Sequence, residues 1–221
     1  MVRRMARMTK EASRIAAIFD RFAAATADPR TELVYSSPFT LLVSVVLSAQ
    51  ATDVSVNRAT AALFKVADTP QAMIALGEAR LTPFIASIGL FRTKARNVIA
   101  LSRILVEQHG GGVPLDRAAL QALPGVGRKT ASVVLNELGV EAAIAVDTHV
   151  FRVAHRLGLS NGKTPDQVEA DLMRVTPPAR RTRAHHWLIL HGRYVCVARK
   201  PRCEACLIAD LCPSRELFVG G

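Results

Sequence analysis

The stretch from Leu123 to Leu135, LPGVGRKTASVVL, constrains this chain more than any other. Gly125 and Gly127 flank a single apolar residue, Val126. Two glycines so placed do not belong inside a stable helix, because each loses more conformational freedom on folding than any other residue. Helical patterning nevertheless stands on both sides. Upstream, Asp116 to Leu123 puts Leu120 and Leu123 three apart on one face before Pro124 stops the helix. Downstream, Ala131, Val133, Val134 and Leu135 form the buried side of a second helix whose first turn holds Arg128, Lys129 and Thr130. The segment therefore predicts helix, hairpin, helix. Backbone N–H groups left bare at the start of the second helix, with glycines allowing close approach, make an anion site suited to a phosphate.

The charge of the chain points to an anionic partner without saying which one. Lys and Arg number 29 against 18 Asp and Glu, a formal charge of +11, which favours a polyanionic partner. Half of the 221 residues are hydrophobic, enough for a sizeable core in one large domain or two small ones. The basic N-terminal run, MVRRMARMTKEASR, lacks the apolar stretch of a secretory signal. The most apolar run, Phe39 to Ala49, is too short to span a bilayer and is interrupted by Thr40, Ser44 and Ser48. A cytoplasmic, nucleoid-associated monomer in a reducing compartment, with no membrane partner, is the expectation.

Read along the chain, helical periodicity covers Glu11 to Ala27, with Ile15, Ile18, Phe19 and Phe22 as its apolar face. Ser37-Pro38 opens an all-round apolar helix to Ser48, and a further helix starts at Val54 with Thr52 or Asp53 as its cap, capping being the preferred reading of Asp53. Helical segments follow at Pro70 to Leu76, Leu81 to Ile88 and, after a break at Gly89, Phe91 to His109. Asp147 caps a helix bearing Val150, Val153 and Leu157, and a last helix runs from Thr182 to Val197. The three histidines of that last helix, His185, His186 and His191, suit core or phosphate contacts better than a metal, since adjacent residues point to different faces.

All four cysteines fall within seventeen residues: Cys196, Cys203, Cys206 and Cys212, with six, two and five residues between neighbours. Such clustering implies a metal centre rather than disulfides. By spacing alone, structural zinc and a [4Fe-4S] cluster both remain open. The arm between the first two cysteines carries Arg199, Lys200 and Arg202, a cationic loop that ligand bonds would hold rigid against phosphates.

Taken together, these motifs resemble the endonuclease III family of DNA glycosylases, from roughly the first helix to the last cysteine. LPGVGRKTA is similar to the family's helix-hairpin-helix, and C-x6-C-x2-C-x5-C is its cluster signature, which selects [4Fe-4S] over zinc. LSAQATD, residues 47 to 53, resembles a segment whose glutamine enters the gap left by a flipped nucleotide, which makes Gln50 a DNA probe. IGLFRTKA, residues 88 to 95, resembles a loop whose wedge falls at Leu90, and Lys94 matches that loop's lysine. VDTHVFR, residues 146 to 152, aligns Asp147 with a catalytic aspartate and sets His149 and Arg152 beside DNA.

The resemblance implies an all-α, two-lobed helix-hairpin-helix glycosylase fold with a C-terminal iron-sulfur cluster loop. Residues 31–141 would form a six-helix barrel, and residues 1–30 with 142–221 the cluster lobe. The implied partner is double-stranded DNA with damaged pyrimidines or abasic sites, gripped through Gly125, Val126, Gly127 and Arg128 and through the cluster loop.

Lysine usage supports the nucleophile this implies. The chain has only six lysines against 23 arginines, so Lys129 is not explained by a demand for charge. An amine can form a Schiff base where a guanidinium cannot. At the reference pKa only about one lysine in 2,500 is neutral at pH 7. Neighbouring Arg128 and the positive helix start both favour the neutral form. A mismatch-specific glycosylase or a non-catalytic DNA-binding module are the alternatives; the pairing of Lys129 with Asp147, 18 residues on, argues against both.

Overall fold

The computed structural model describes residues 2–219, with side chains from residue 9 onward, so Arg3, Arg4 and Arg7 of the basic N-terminal run lie outside the described side chains. Among the described residues there is no strand. The described residues form ten α-helices: α1 (Val2–Ala25), α2 (Pro38–Leu47), α3 (Asp53–Leu63), α4 (Pro70–Ile85), α5 (Phe91–His109), α6 (Arg117–Gln121), α7 (Arg128–Glu137), α8 (Thr148–Arg156), α9 (Pro165–Val175) and α10 (Arg181–Tyr194). None is long and apolar enough to cross a membrane. The chain divides into two compact units, one of residues 31–141 and one of residues 1–30 with 142–221.

The unit of residues 31–141 holds α2 to α7 around a core in which α2 is buried on every side. A capping box explains where α2 begins: the Ser37 hydroxyl accepts from the Thr40 amide, and the Thr40 hydroxyl accepts from the Ser37 amide. Pro38 in the first turn has no N–H to leave unsatisfied. Thr52, not Asp53, caps α3, accepting from the Ser55 amide at 3.2 Å, and Asp53 is instead the acidic residue of the first turn. The two segments expected on either side of residue 77 are both helical, and the span α4 holds them as two stretches divided at Gly77, whose backbone is not helical (φ 75°, ψ 163°). Arg117 joins α6 to α7 by donating to Ser132 Oγ at 2.8 Å, and it also pairs with Glu141 at 2.7 Å.

The other unit packs α1 against α8, α9 and α10. Ile15, Ile18, Phe19 and Phe22 are all buried, as the spacing on α1 predicts. Phe19 and Phe22 meet Trp187 at centroid distances of 6.4 and 6.5 Å, and the Trp187 indole donates to the Thr26 carbonyl. Full burial of each such side chain contributes about 1.5–3 kcal/mol. His185, His186 and His191 are buried in this core. Burial pushes His191 down to about 4, so it sits there as neutral imidazole, edge-on to Phe22 at 5.2 Å. Helix α9 lies in a stretch the apolar pattern left blank; its signal is Thr164-Pro165, a cap accepting from the Gln167 amide followed by an N1 proline.

Candidate DNA-binding and catalytic site

The hairpin between α6 and α7 forms as its sequence predicts, and each residue in it has a distinct job. Gly125 adopts φ 81°, and a Cβ there would stand 2.9 Å from Asn97 Nδ2, so both backbone and space require glycine. Val126 turns inward, 4% exposed, and its amide is taken by the Leu123 carbonyl at 3.0 Å. Neither its side chain nor its N–H is therefore available to a ligand, so its part in the hairpin is to anchor it. Gly127 is the N-cap of α7 with no side-chain cap, and nothing lies within 4 Å of where its Cβ would be. What its missing side chain leaves is an open approach to the first-turn amides of Lys129 and Thr130, at the positive end of the helix. The Lys129 side chain is exposed and makes no hydrogen bond or ion pair among the described residues.

In the same unit, two loops lie side by side. Gln50 ends the turn after α2 and Leu90 precedes α5; a Cβ on Gly89 would be 3.9 Å from the Gln50 carbonyl. Both side chains are exposed, Leu90 at 61%, and both residues adopt the left-handed conformation, with φ 56° and 60°. For a residue with a Cβ this conformation costs about 1–2 kcal/mol. The third non-glycine residue with positive φ among those described is Lys200 (φ 51°), on the cationic arm between Cys196 and Cys203. All three coincide with side chains picked from the sequence as DNA contacts, and such strain concentrates at functional sites.

In the other unit Asp147 starts α8. Its Oδ1 accepts from the amides of both His149 and Val150 at 2.8 Å, while Oδ2 has no hydrogen bond among the described residues. One oxygen caps the helix and the other is available for chemistry. Arg152, one turn on, is committed elsewhere. Its guanidinium donates to the carbonyls of Cys196 (3.0 Å) and Gly192 (2.8 Å) and to His149 Nδ1 (3.3 Å). Because arginine can only donate, Nδ1 is the acceptor in this contact, which leaves Nε2 as the ring's donor. Arg152, expected beside DNA, is thus placed as a clamp between α8, α10 and the first cysteine. Gly192 allows that approach, since a Cβ there would meet His149 Cβ at 2.9 Å.

The four cysteines line one apolar pocket with Leu157, His191, Val195 and Pro201. Among the described residues no three His, Cys, Asp or Glu side chains are placed to hold a single metal ion. A pocket whose wall carries all four thiols fits a group that takes four thiolate ligands. Burial pushes the Cys206 and Cys212 thiols up, and the facing cysteines add to that shift. Four thiolates so enclosed need a cationic centre between them.

Arginines that sequence reading missed fasten the arms of this pocket. Arg156 donates to Cys196 Sγ at 3.4 Å and to the carbonyls of Val197 and Ala198. Arg14 reaches the carbonyls of Leu157 and Leu211, and Arg21 pairs with Asp210 and bonds the Leu207 carbonyl. The available signal was spacing: Arg156 stands four positions after Arg152 on α8 and Arg21 seven after Arg14 on α1, which keeps each pair on one helical face.

Comparison with known proteins agrees with this arrangement. Residues 43–178 match the model of the HhH-GPD superfamily of base excision DNA repair proteins, and residues 196–212 that of the iron-sulfur binding domain of endonuclease III. The chain is 59% identical to endonuclease III of Treponema pallidum (strain Nichols) over 89% of its length and 93% of that protein. It is also 59% identical to endonuclease III of Escherichia coli (strain K12), over 85% of its length and 89% of that protein. A solved structure of a trapped endonuclease III–DNA covalent intermediate, an estranged-adenine complex, superposes with a TM-score of 0.83 at 44% identity, covering 90% of this chain and 94% of that one.

Proposed function

This chain belongs to the endonuclease III family of the HhH-GPD superfamily, and we propose that it excises oxidised pyrimidines from duplex DNA with Lys129 as nucleophile and Asp147 as its carboxylate partner. The family assigns the reaction class: a base excision DNA glycosylase with AP lyase activity, containing a [4Fe-4S] cluster. The lesion, the residue roles and a monomeric, nucleoid-associated state are the proposal.

The observation that carries it is Lys129 itself, an exposed amine without a partner among the described residues, on the first turn of a helix whose amides are open to a phosphate. The hairpin amides and the cationic loop at Arg199, Lys200 and Arg202 hold the backbone; Gln50 and Leu90 occupy the stack that the flipped nucleotide vacates. The neutral Lys129 amine attacks the sugar C1′ and the C1′–N bond breaks with its electrons to the departing base. Asp147, through Oδ2, stabilises the positive charge that develops on the sugar and accepts the proton lost by the amine. The ring opens to a Schiff base, a proton leaves C2′, and the 3′ phosphate departs by β-elimination.

Cys196, Cys203, Cys206 and Cys212 hold the cluster, which ties the arms of the cationic loop into one rigid piece when bound. The arginines of α1 and α8 brace those arms.

Borohydride trapping tests the assignment on duplexes containing thymine glycol or an abasic site. The wild-type chain forms a covalent adduct on both. Lys129→Ala and Lys129→Arg form none, because neither can make a Schiff base. A normal adduct with either variant would refute the role given to Lys129.

A further inference from the structure

Lys94 is the one lysine buried among the described residues, 4% exposed, and the reaction has no use for it as a nucleophile. It is bonded at both ends. Its backbone N–H donates to the Leu90 carbonyl at 3.0 Å, the first bond of α5. Its Nζ reaches 47 positions back to donate to the Leu47 carbonyl at 2.9 Å. Leu47 is the last residue of α2, and the turn it enters ends three residues later at Gln50. One residue therefore holds the root of both left-handed loops, whose backbones already adjoin where Gly89 faces the Gln50 carbonyl.

A lysine near a helix C-terminus commonly satisfies a last carbonyl, but such lysines sit at the surface. Here the ammonium is taken out of water, which disfavours its charged form and lowers its pKa. A methionine of similar length would fill the same space without that cost. Burial of a charge to secure a single carbonyl makes sense where the position of that carbonyl matters beyond packing.

Resting on the reading of Gln50 and Leu90 given above, we propose that Lys94 is a positioning residue that locks these two loops into one unit, so that both side chains enter the DNA stack together. Lys94 touches no DNA. It acts through the carbonyls it holds, and its loss lets each loop relax from its left-handed residue independently.

The test compares two rates in the full-length, cluster-loaded protein. One is single-turnover base release from a thymine-glycol duplex, which requires the stack to be opened. The other is cleavage of an abasic site in single-stranded DNA, which does not. Lys94→Met lowers the first by about tenfold or more, as expected for a misplaced positioning element, and leaves the second within about twofold. A purely structural role would lower both equally; an unchanged ratio of the two rates overturns the proposal. A wild-type chain inactive on both substrates would sink the functional reading instead, so the two failures are distinct.

A double-mutant cycle needs no substitution at Lys94. In the wild-type background Gln50→Ala and Leu90→Ala combine non-additively in base release, by at least about threefold, because a locked pair fails as a unit. Additivity within about twofold overturns the proposal even if Lys94→Met does not fold.

Discussion

Asp147 gives the sharpest test because two functions sit on separate oxygens of one carboxylate. Oδ1 accepts from the His149 and Val150 amides at 2.8 Å each, and Oδ2 is left for the reaction. Asp147→Asn keeps a cap of equal rank and loses only the attraction between a negative charge and the helix start, about 0.3–1 kcal/mol. Asp147→Ala loses that attraction and the cap as well, about 1–2 kcal/mol in all. At about 2–4 °C per kcal/mol for a chain of this size, Asp147→Asn lowers the melting temperature by about 1–4 °C and Asp147→Ala by about 2–8 °C. Catalysis divides differently, since neither variant holds a negative charge or takes a proton near neutral pH. Base release under single-turnover conditions falls by about 10²–10⁴-fold in both. Thermal melts beside base release from a thymine-glycol duplex read the two effects separately. Base release by Asp147→Asn within about tenfold of wild type would reduce Asp147 to a helix cap. Identical melting of the two variants would show that Oδ1 does not stabilise α8 as its geometry indicates.

The hairpin glycines differ in the same way. Gly125→Ala meets both φ 81° and Asn97 at 2.9 Å and destabilises the fold by about 1–3 kcal/mol, read in urea melts. Gly127→Ala meets nothing within 4 Å and leaves stability unchanged or slightly higher. It nevertheless weakens binding to an abasic-analogue duplex about tenfold, the value of one lost bond to a charged group, in a fluorescence-anisotropy titration. Cys203→Ser removes a thiolate from the pocket; the purified chain loses visible iron-sulfur absorbance, and its DNA affinity falls with a shallower dependence on salt as the cationic arm loosens. Burial lowers the folded-state pKa of Lys94 below its ordinary 10.5, so between the two values the unfolded chain binds a proton that the folded chain has released. On this group's account stability rises with pH across that window. The melting temperature of wild type relative to Lys94→Met therefore rises as pH is raised toward the ordinary lysine value, and a constant difference would contradict the burial of a charged amine.

Features that depend on neighbours along the chain were legible from the residues alone. Helix periods on α1 and α7, the stop at Pro124, the turn forced by Gly125 and the cap at Asp147 are local effects, fixed by backbone preference and by side chains within a few residues. The cysteine spacing and the lysine where arginine is the rule were legible for the same reason. Boundaries were less so: Thr52 displaced Asp53 as cap, and α9 went unread because its signal is a cap and a proline rather than an apolar stripe.

Groups far apart in sequence took their partners only from the packing of the folded chain. Arg152 was drawn to the carbonyls of Gly192 and Cys196, 40 and 44 positions away. Lys94 found its acceptor 47 positions back. No local pattern encodes such partners, because a long side chain satisfies whichever carbonyl the packing of separate helices brings within reach. Gln50 and Leu90 were chosen from the sequence by resemblance and Lys200 from the charge of its arm, yet their shared left-handed backbone is set by the elements that hold each loop at both ends.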